Sequence, residues 1–226
     1  MKPAVLRIPL VLFTRAFYRV TVLAPENLPA QGGALLVSNH VSFVDLVLLL
    51  ASTRRFVRFL LPQSVCERWW LKPFLRCLRV IPLPPESQGR ELARALGQAR
   101  DAIQQGDVVG IFAEESVSRI GVMLPFRRSM EQIMEGVNAP IIPVCLDGVW
   151  GSIFSYQSGR FFWKVPRRIP YPVTINFGEA LPPTATAFEV RLEDVLPGGL
   201  VLNLASIAVT LGGGAGRTRS VGGPAR

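Results

Sequence analysis

Apolar and polar positions divide the chain into short greasy runs separated by amphipathic stretches. "GALLVSN" predicts a short buried strand, and "VDLVLLLAS" follows as the start of a helix. Residues 38 to 45 are then a strand-to-helix loop. "RRFVRFLLP" and "LRVIPL" are further strand candidates. Between them "SVCERWWLKPFLRCL" has a helical pattern that Pro73 kinks or splits. "RELARALGQARDAIQQG" places Leu92, Ala95, Leu96, Ala99 and Ile103 on one helical face, with Gly106 as the stop signal. "DVVGIFAEE" predicts a strand, "FRRSMEQIMEG" a helix, "APIIPVCLDG" a strand and "YPVTINFGEAL" a late strand. Strands alternating with helices predict an α/β domain over residues 25–195, built on a mostly parallel central sheet flanked by helices. Ligands of such sheets sit at the carboxyl ends of the strands. His40 and Glu114 both fall there.

The two ends differ from this middle. In residues 1–24, Leu6, Leu10, Phe13 and Phe17 share one helical face while Arg7, Arg15 and Arg19 share another. That is the pattern of an amphipathic helix lying in a membrane interface; an ordinary helix packed on the domain has the same pattern. The arginines interrupt the run, so it is neither a signal peptide nor a membrane span. Residues 196–226 have no aromatic residue and end rich in Gly and Arg, which predicts a partly disordered tail.

Composition adds a partner class. Apolar residues make up 49 % of the 226, enough to bury a sizeable core, and 25 Lys and Arg against 16 Asp and Glu give a formal charge of +9. A greasy, basic chain suits an anionic membrane surface. Nucleic acid is not expected, because the positive charge is interleaved with Phe, Trp, Leu and Pro rather than gathered in a basic motif. Cys66, Cys77 and Cys145 are odd in number and far apart, which excludes zinc and disulfide frameworks and predicts small buried hydrophobes.

The candidate chemistry centres on "SNHVSFVD". His40 is the only histidine, and Asp45 follows five positions later across the strand-to-helix loop. An imidazole titrates near neutral pH and works best as a base when a carboxylate holds its ring. Asp45 also places a negative charge at a helix start, and Ser42 is positioned to cap the same helix. The plain alternative is that Asn39, Ser42 and Asp45 are loop and cap residues. No GxSxG, HExxH or phosphate-binding glycine loop is present, and a single histidine builds no metal cluster of the usual kind. A second stretch, "IFAEESVSRIGVMLPFRRSMEQI", runs from a strand end into a loop with Ser116, Ser118 and Arg119, then to Arg127 and Arg128 at a helix start. Hydroxyls, guanidinium groups and a helix N-terminus are what a phosphate ester requires.

With these stretches in hand the chain resembles the glycerolipid acyltransferase family, which includes the lysophosphatidate acyltransferases. "NHVSFVD" is similar to its NH-x4-D block, "CLRVIPL" occupies the place of its second block, "FAEES" looks like its FPEG block, and "APIIPVCL" is similar to its VPxxPV block. All four occur in the family's order over roughly residues 30 to 150. Residues near 10 to 194, including "LDGVWGSIFSYQSGRFFWKVPRRIPYPVTINFGEAL", look most like the acyltransferase domain of 2-acylglycerophosphoethanolamine acyltransferases.

The resemblance implies a glycerolipid acyltransferase-like fold. It implies transfer of a fatty acyl group from an acyl carrier protein or coenzyme A thioester to the free hydroxyl of a lysophospholipid. His40 would be the base and Asp45 would orient it. Glu114, Ser116, Arg119 and Arg127 would bind the acceptor and its phosphate, and Pro143 would help shape the acyl pocket. No cofactor is implied, since the thioester is a co-substrate, and the expected place is peripheral on the cytoplasmic face of the cell membrane. The nearest alternative acceptor is 1-acylglycerol-3-phosphate. The chain departs from the family at Ala113 for proline, Glu115 for glycine, and Arg128 and Ser129 for Pro-Gly, and it lacks an arginine after the second block. Glu115 adds bulk and negative charge beside the expected phosphate site, which motivates a different alternative, a non-catalytic lipid-binding scaffold.

Overall fold

The structure, a computed structural model, describes residues 3–40, 42, 44–85, 87–112, 129–149 and 169–190. A helix, α1 (Pro3–Phe17), leads directly into a strand, β1 (Tyr18–Leu23). The chain then forms β2 (Ala34–Ser38), α2 (Asp45–Ser52), β3 (Val57–Pro62), two short helices α3 (Gln63–Cys66) and α4 (Lys72–Cys77), and β4 (Ile81–Leu83). It continues through α5 (Gly89–Gln104), β5 (Val108–Phe112), α6 (Ser129–Met134), β6 (Ile141–Asp147) and β7 (Tyr171–Phe177).

The seven strands form one sheet in the order β1-β7-β6-β2-β5-β3-β4. Every neighbouring pair is parallel except β6 with β7. The sheet is therefore mostly parallel, with β1 and β7 running against the other five. β2 lies between β5 and β6, the strands to which the chain returns only after leaving for β3 and β4. Such a switch in strand order opens a crevice at the carboxyl end of the sheet.

Each face of the sheet has its own core. Leu36, Val108, Ile142 and Phe59 pack with Leu46, Leu48 and Leu49 of α2 on one side. Leu35, Val37, Val109 and Ile111 pack with Ala95, Leu96, Ala99 and Ile103 of α5 and with Met130 and Ile133 of α6 on the other. β2 is buried along its whole length because its successive side chains enter opposite cores. The stripe expected on α5 is the buried one, with Leu92 at its margin. Gly106 ends that helix region at φ +94, a conformation that disfavours a side chain. Pro73 sits in the first turn of α4, so the aromatic stretch is split into two helices rather than kinked.

The end of the sheet away from His40 is stapled by one side chain. Arg55 donates to the carbonyls of Pro29 at 3.0 Å, Gly32 at 2.6 Å and Gly106 at 2.8 Å. Burial pulls its guanidinium below the usual value, and Asp107 partly restores it. Gly33 is required here, since a Cβ would lie 1.9 Å from the Ile103 carbonyl oxygen. Late in the chain, Thr186 and Glu189 form a reciprocal cap: Thr186 N–H donates to Glu189 Oε2 at 2.7 Å, and Glu189 N–H donates to Thr186 Oγ1 at 3.3 Å. These bonds hold the Glu189 carboxyl below its usual range.

Three expectations change. The N-terminal helix stops at Phe17, and residues 18–23 become an edge strand paired with β7. In "YRVTVL" Tyr18 is buried and Val20 and Val22 half-buried while the residues between them are exposed, the period of a half-covered strand. α1 is docked as well as exposed: Leu10 packs against the core and Thr14 is buried, while Ile8, Leu12, Phe13 and Phe17 remain exposed. The cysteines are not small core residues, for Cys77 is exposed and Cys66 and Cys145 half-buried. The aromatic segment 152–163 and the tail 196–226 lie outside the described residues.

Candidate active site

The site is assembled where β2 ends. Ser38 is paired with Phe112 of β5 on one side and Val144 of β6 on the other. Asn39 continues the strand by other means. Its side-chain amide donates to the Leu146 carbonyl at 3.0 Å, and the Leu146 N–H donates to its Oδ1 at 2.8 Å. The carboxamide thus imitates one more rung of the sheet and fixes the direction in which the chain leaves β2.

His40 is the next residue. Its Nδ1 lies 3.1 Å from Oδ2 of Asp45, the first residue of α2. The same Oδ2 accepts the Ser42 backbone N–H at 2.7 Å. The loop therefore folds around the carboxylate, whose side chain is fully buried while that of His40 is 20 % exposed. In the tautomer whose Nδ1–H donates to this carboxylate, Nε2 is left as the basic nitrogen. The pair can take a proton from a hydroxyl and stabilise the imidazolium that results.

Ser42 does not cap α2 in the expected way. Its Oγ is 3.4 Å from the Val44 N–H, before the helix begins, and its own N–H is held by Asp45. Asp45 organises the turn, so the acid and the loop geometry depend on each other.

Two contacts at His40 depend on the strand order. The Phe112 ring stacks on the imidazole with centroids 4.2 Å apart and planes 23° apart. Phe59 of β3 stacks behind Phe112 at 5.5 Å and 19°. Phe59 fits because its cross-strand partner is Gly110, where a Cβ would come within 2.6 Å of the Phe59 ring. The row Phe59–Phe112–His40 thus gives the imidazole a flat apolar floor. Sequence reasoning passed over Phe112, Phe59 and Gly110, and treated Asn39 as a loop residue. The one usable sign was the lone glycine in "VVGIF", since glycine inside a strand marks a close approach.

His40 and Asp45 are brought together as the spacing predicts. Glu114, Ser116, Arg119 and Arg127 lie outside the described residues. Pro143 is buried in β6 opposite Val37, with its carbonyl accepting from Gly178 at 2.9 Å. Among the described residues no three His, Cys, Asp or Glu side chains gather in a way that would hold a metal ion.

Comparison with known proteins agrees with the fold. The chain is 25 % identical over 142 residues to a 1-acyl-sn-glycerol-3-phosphate acyltransferase of Bacillus subtilis, covering 62 % of this chain and 69 % of that protein. It is 29 % identical over 181 residues to a 1-acyl-sn-glycerol-3-phosphate acyltransferase of Chlamydomonas reinhardtii, covering 77 % of this chain but only 50 % of the algal protein. The crystal structure of the 1-acyl-sn-glycerophosphate acyltransferase PlsC from Thermotoga maritima superposes with a TM-score of 0.64, covering 96 % of this chain and 83 % of that one. At 19 % identity that likeness establishes the fold. The Acyltransferase family model matches residues 19–147, more than half of the chain and inclusive of His40 and Asp45, and on that match the chain belongs to the Acyltransferase family, among the glycerolipid acyltransferases.

Proposed function

We propose that the chain transfers a fatty acyl group from a thioester to the free hydroxyl of 1-acylglycerol-3-phosphate. The observation that carries the chemistry is the His40 Nδ1–Asp45 Oδ2 contact of 3.1 Å at the carboxyl end of β2. The choice of acceptor rests on the printed names of the curated relatives, which are 1-acyl-sn-glycerol-3-phosphate acyltransferases. They do not support the ethanolamine-type acceptor suggested by the late aromatic segment, nor a special preference for acyl carrier protein as donor.

In the proposed step, His40 Nε2 takes the hydroxyl proton as the acceptor oxygen attacks the thioester carbonyl. The new C–O bond forms, the C–S bond breaks, and the proton passes from the imidazolium to the leaving sulfur. No covalent acyl-enzyme is needed, in keeping with the lack of a nucleophile elbow in the sequence. The thioester is already activated, so positioning, a base and charge stabilisation suffice. Glu114, Ser116, Arg119 and Arg127 are proposed to bind the acceptor, the arginines through its phosphate.

The test offers lysophosphatidate and lysophosphatidylethanolamine in parallel, each with acyl-coenzyme A and acyl-acyl carrier protein, to the parent chain and to His40→Ala. Turnover that favours lysophosphatidate and vanishes in the variant is expected. Equal turnover by His40→Ala would remove the base from the scheme. Preference for the ethanolamine lipid would reverse the acceptor. A folded chain with no turnover on any pair would make it a lipid-binding relative without catalysis.

A further inference from the structure

The turn between α3 and α4 carries two indoles that the fold leaves outside. Trp69 is 83 % exposed and Trp70 56 %. Their apolar neighbours Val65, Leu71 and Phe74 turn inward and pack against the core on the α2 side. The tryptophans are therefore not spare core residues that missed their place; the turn has already sent its inward-facing set to the core. Around them Arg68, Lys72 and Arg76 are exposed. Glu67, the acid beside them, accepts a hydrogen bond from Gln63 at 2.8 Å.

Topology fixes where this turn sits. α3 begins directly after Pro62, the last residue of β3, at the same end of the parallel strands as Ser38 of β2. The other exposed aromatic pair, Phe13 and Phe17 with ring centroids 5.0 Å apart, closes α1. Tyr18 follows and pairs with Tyr171 at the start of β7. Because β7 runs against β6, with Thr174 opposite Asp147, that start also lies at the carboxyl end of the central strands. In the strand order β2 lies between these flanks, with β7 and β1 on one side and β3 on the other. Two exposed aromatic pairs thus lie at the same end of the sheet, on the two flanks of the strand that ends at His40. Indoles favour the boundary between water and hydrocarbon, and a cationic rim favours anionic headgroups.

We propose that the Trp69–Trp70 turn enters the headgroup layer of an anionic bilayer, with Arg68, Lys72 and Arg76 against lipid phosphates, so that the His40 end of the sheet faces the lipid. The reading gains its purpose from the lipid acceptor proposed above, but its vesicle-binding test is read without turnover.

The full chain is mixed with phosphatidylcholine vesicles, with and without phosphatidylglycerol, and followed by co-sedimentation and tryptophan emission. Parent chain is expected to sediment with the anionic vesicles and shift its emission to the blue. Trp69→Ala/Trp70→Ala should bind at least about tenfold more weakly. Trp69→Phe/Trp70→Phe should lose most of the blue shift while still sedimenting, which separates these indoles from the other two tryptophans of the chain. Replacing Arg68, Lys72 and Arg76 by Gln should cut the preference for anionic vesicles by about tenfold or more at low salt. Turnover of a short-chain, monomeric lysophosphatidate should be the same in parent and Trp variants. Parent-like sedimentation by the double Ala variant would overturn the proposal. So would a blue shift produced by acyl carrier protein and not by vesicles, which would make the turn a protein-docking surface. Loss of turnover on the monomeric lipid would instead assign the turn to the active site.

Discussion

Asp45→Asn is the sharpest test of the His40 pair, because it removes charge and little else. An amide oxygen in the place of Oδ2 still accepts the Ser42 N–H, now at 2.7 Å, and still faces Nδ1 at 3.1 Å. What disappears is the attraction between the carboxylate and the imidazolium formed when His40 takes the hydroxyl proton. At 3.1 Å and an effective dielectric of about 20, that attraction is about 5 kcal/mol. Its loss should lower kcat by roughly 10⁴-fold, at about 1.4 kcal/mol per tenfold. KM for both substrates should hold, since Asp45 is fully buried and out of their reach. Stability should be unchanged or slightly higher, because a buried charge is costly to keep. The assay is steady-state acyl transfer beside a urea titration, with His40→Ala and the double variant. The double variant should be no slower than His40→Ala, since the two residues act as one unit. A kcat within tenfold of the parent, from a protein of parental stability, would refute the reasoning and reduce Asp45 to a turn-former.

Four further outcomes follow from contacts elsewhere. Asn39→Ala strands the Leu146 N–H and carbonyl inside the sheet, and urea unfolding should show a loss of about 2–4 kcal/mol. Gly110→Ala drives a methyl into the Phe59 ring; thermal unfolding should report a cost of about 1–3 kcal/mol, and kcat should fall as Phe112 and His40 shift, whereas an unchanged kcat would mean that the ring row does not position the base. Arg55→Lys gives up the fork that spans three carbonyls, and should cost about 1–3 kcal/mol in the same titration with kcat intact, because it acts at the far end of the sheet. Burial, with Glu67 adding to it, pushes the Cys66 thiol up, so maleimide labelling at neutral pH should reach Cys77 well before Cys66, as read by peptide mass mapping.

How far the sequence speaks depends on the range of the interaction. α5 was legible because its stripe of small and branched residues needs only its own period. β2 was legible because a strand buried on both faces leaves an unbroken greasy run. The pairing of His40 with Asp45 spans five residues of one loop and is equally local. β1 was missed for the opposite reason. Its partner lies far along the chain, and Arg19 and Thr21 on its open face hide the alternation behind a greasy helix. The Phe112 floor under His40 was beyond reach, since it exists only once β3, β5 and β2 lie side by side. The cysteines misled because composition says what a residue favours, while the site at Cys77 is set by the exposed face of α4.

The pairing of β1 with β7 also sets a timetable for synthesis. Tyr18 leaves the ribosome roughly 150 residues ahead of its partner Tyr171. At about 5–20 residues per second, the first strand waits on the order of ten seconds or more for its place in the sheet. Through that interval α1, with Ile8, Leu12 and the two phenylalanines outward, precedes a strand that nothing yet holds. A nascent chain in this state offers the apolar side chains of α1 to any nearby bilayer or chaperone before the domain is complete. Premature termination before residue 171 would leave β1 without its partner strand, while α1 could still pack on α2.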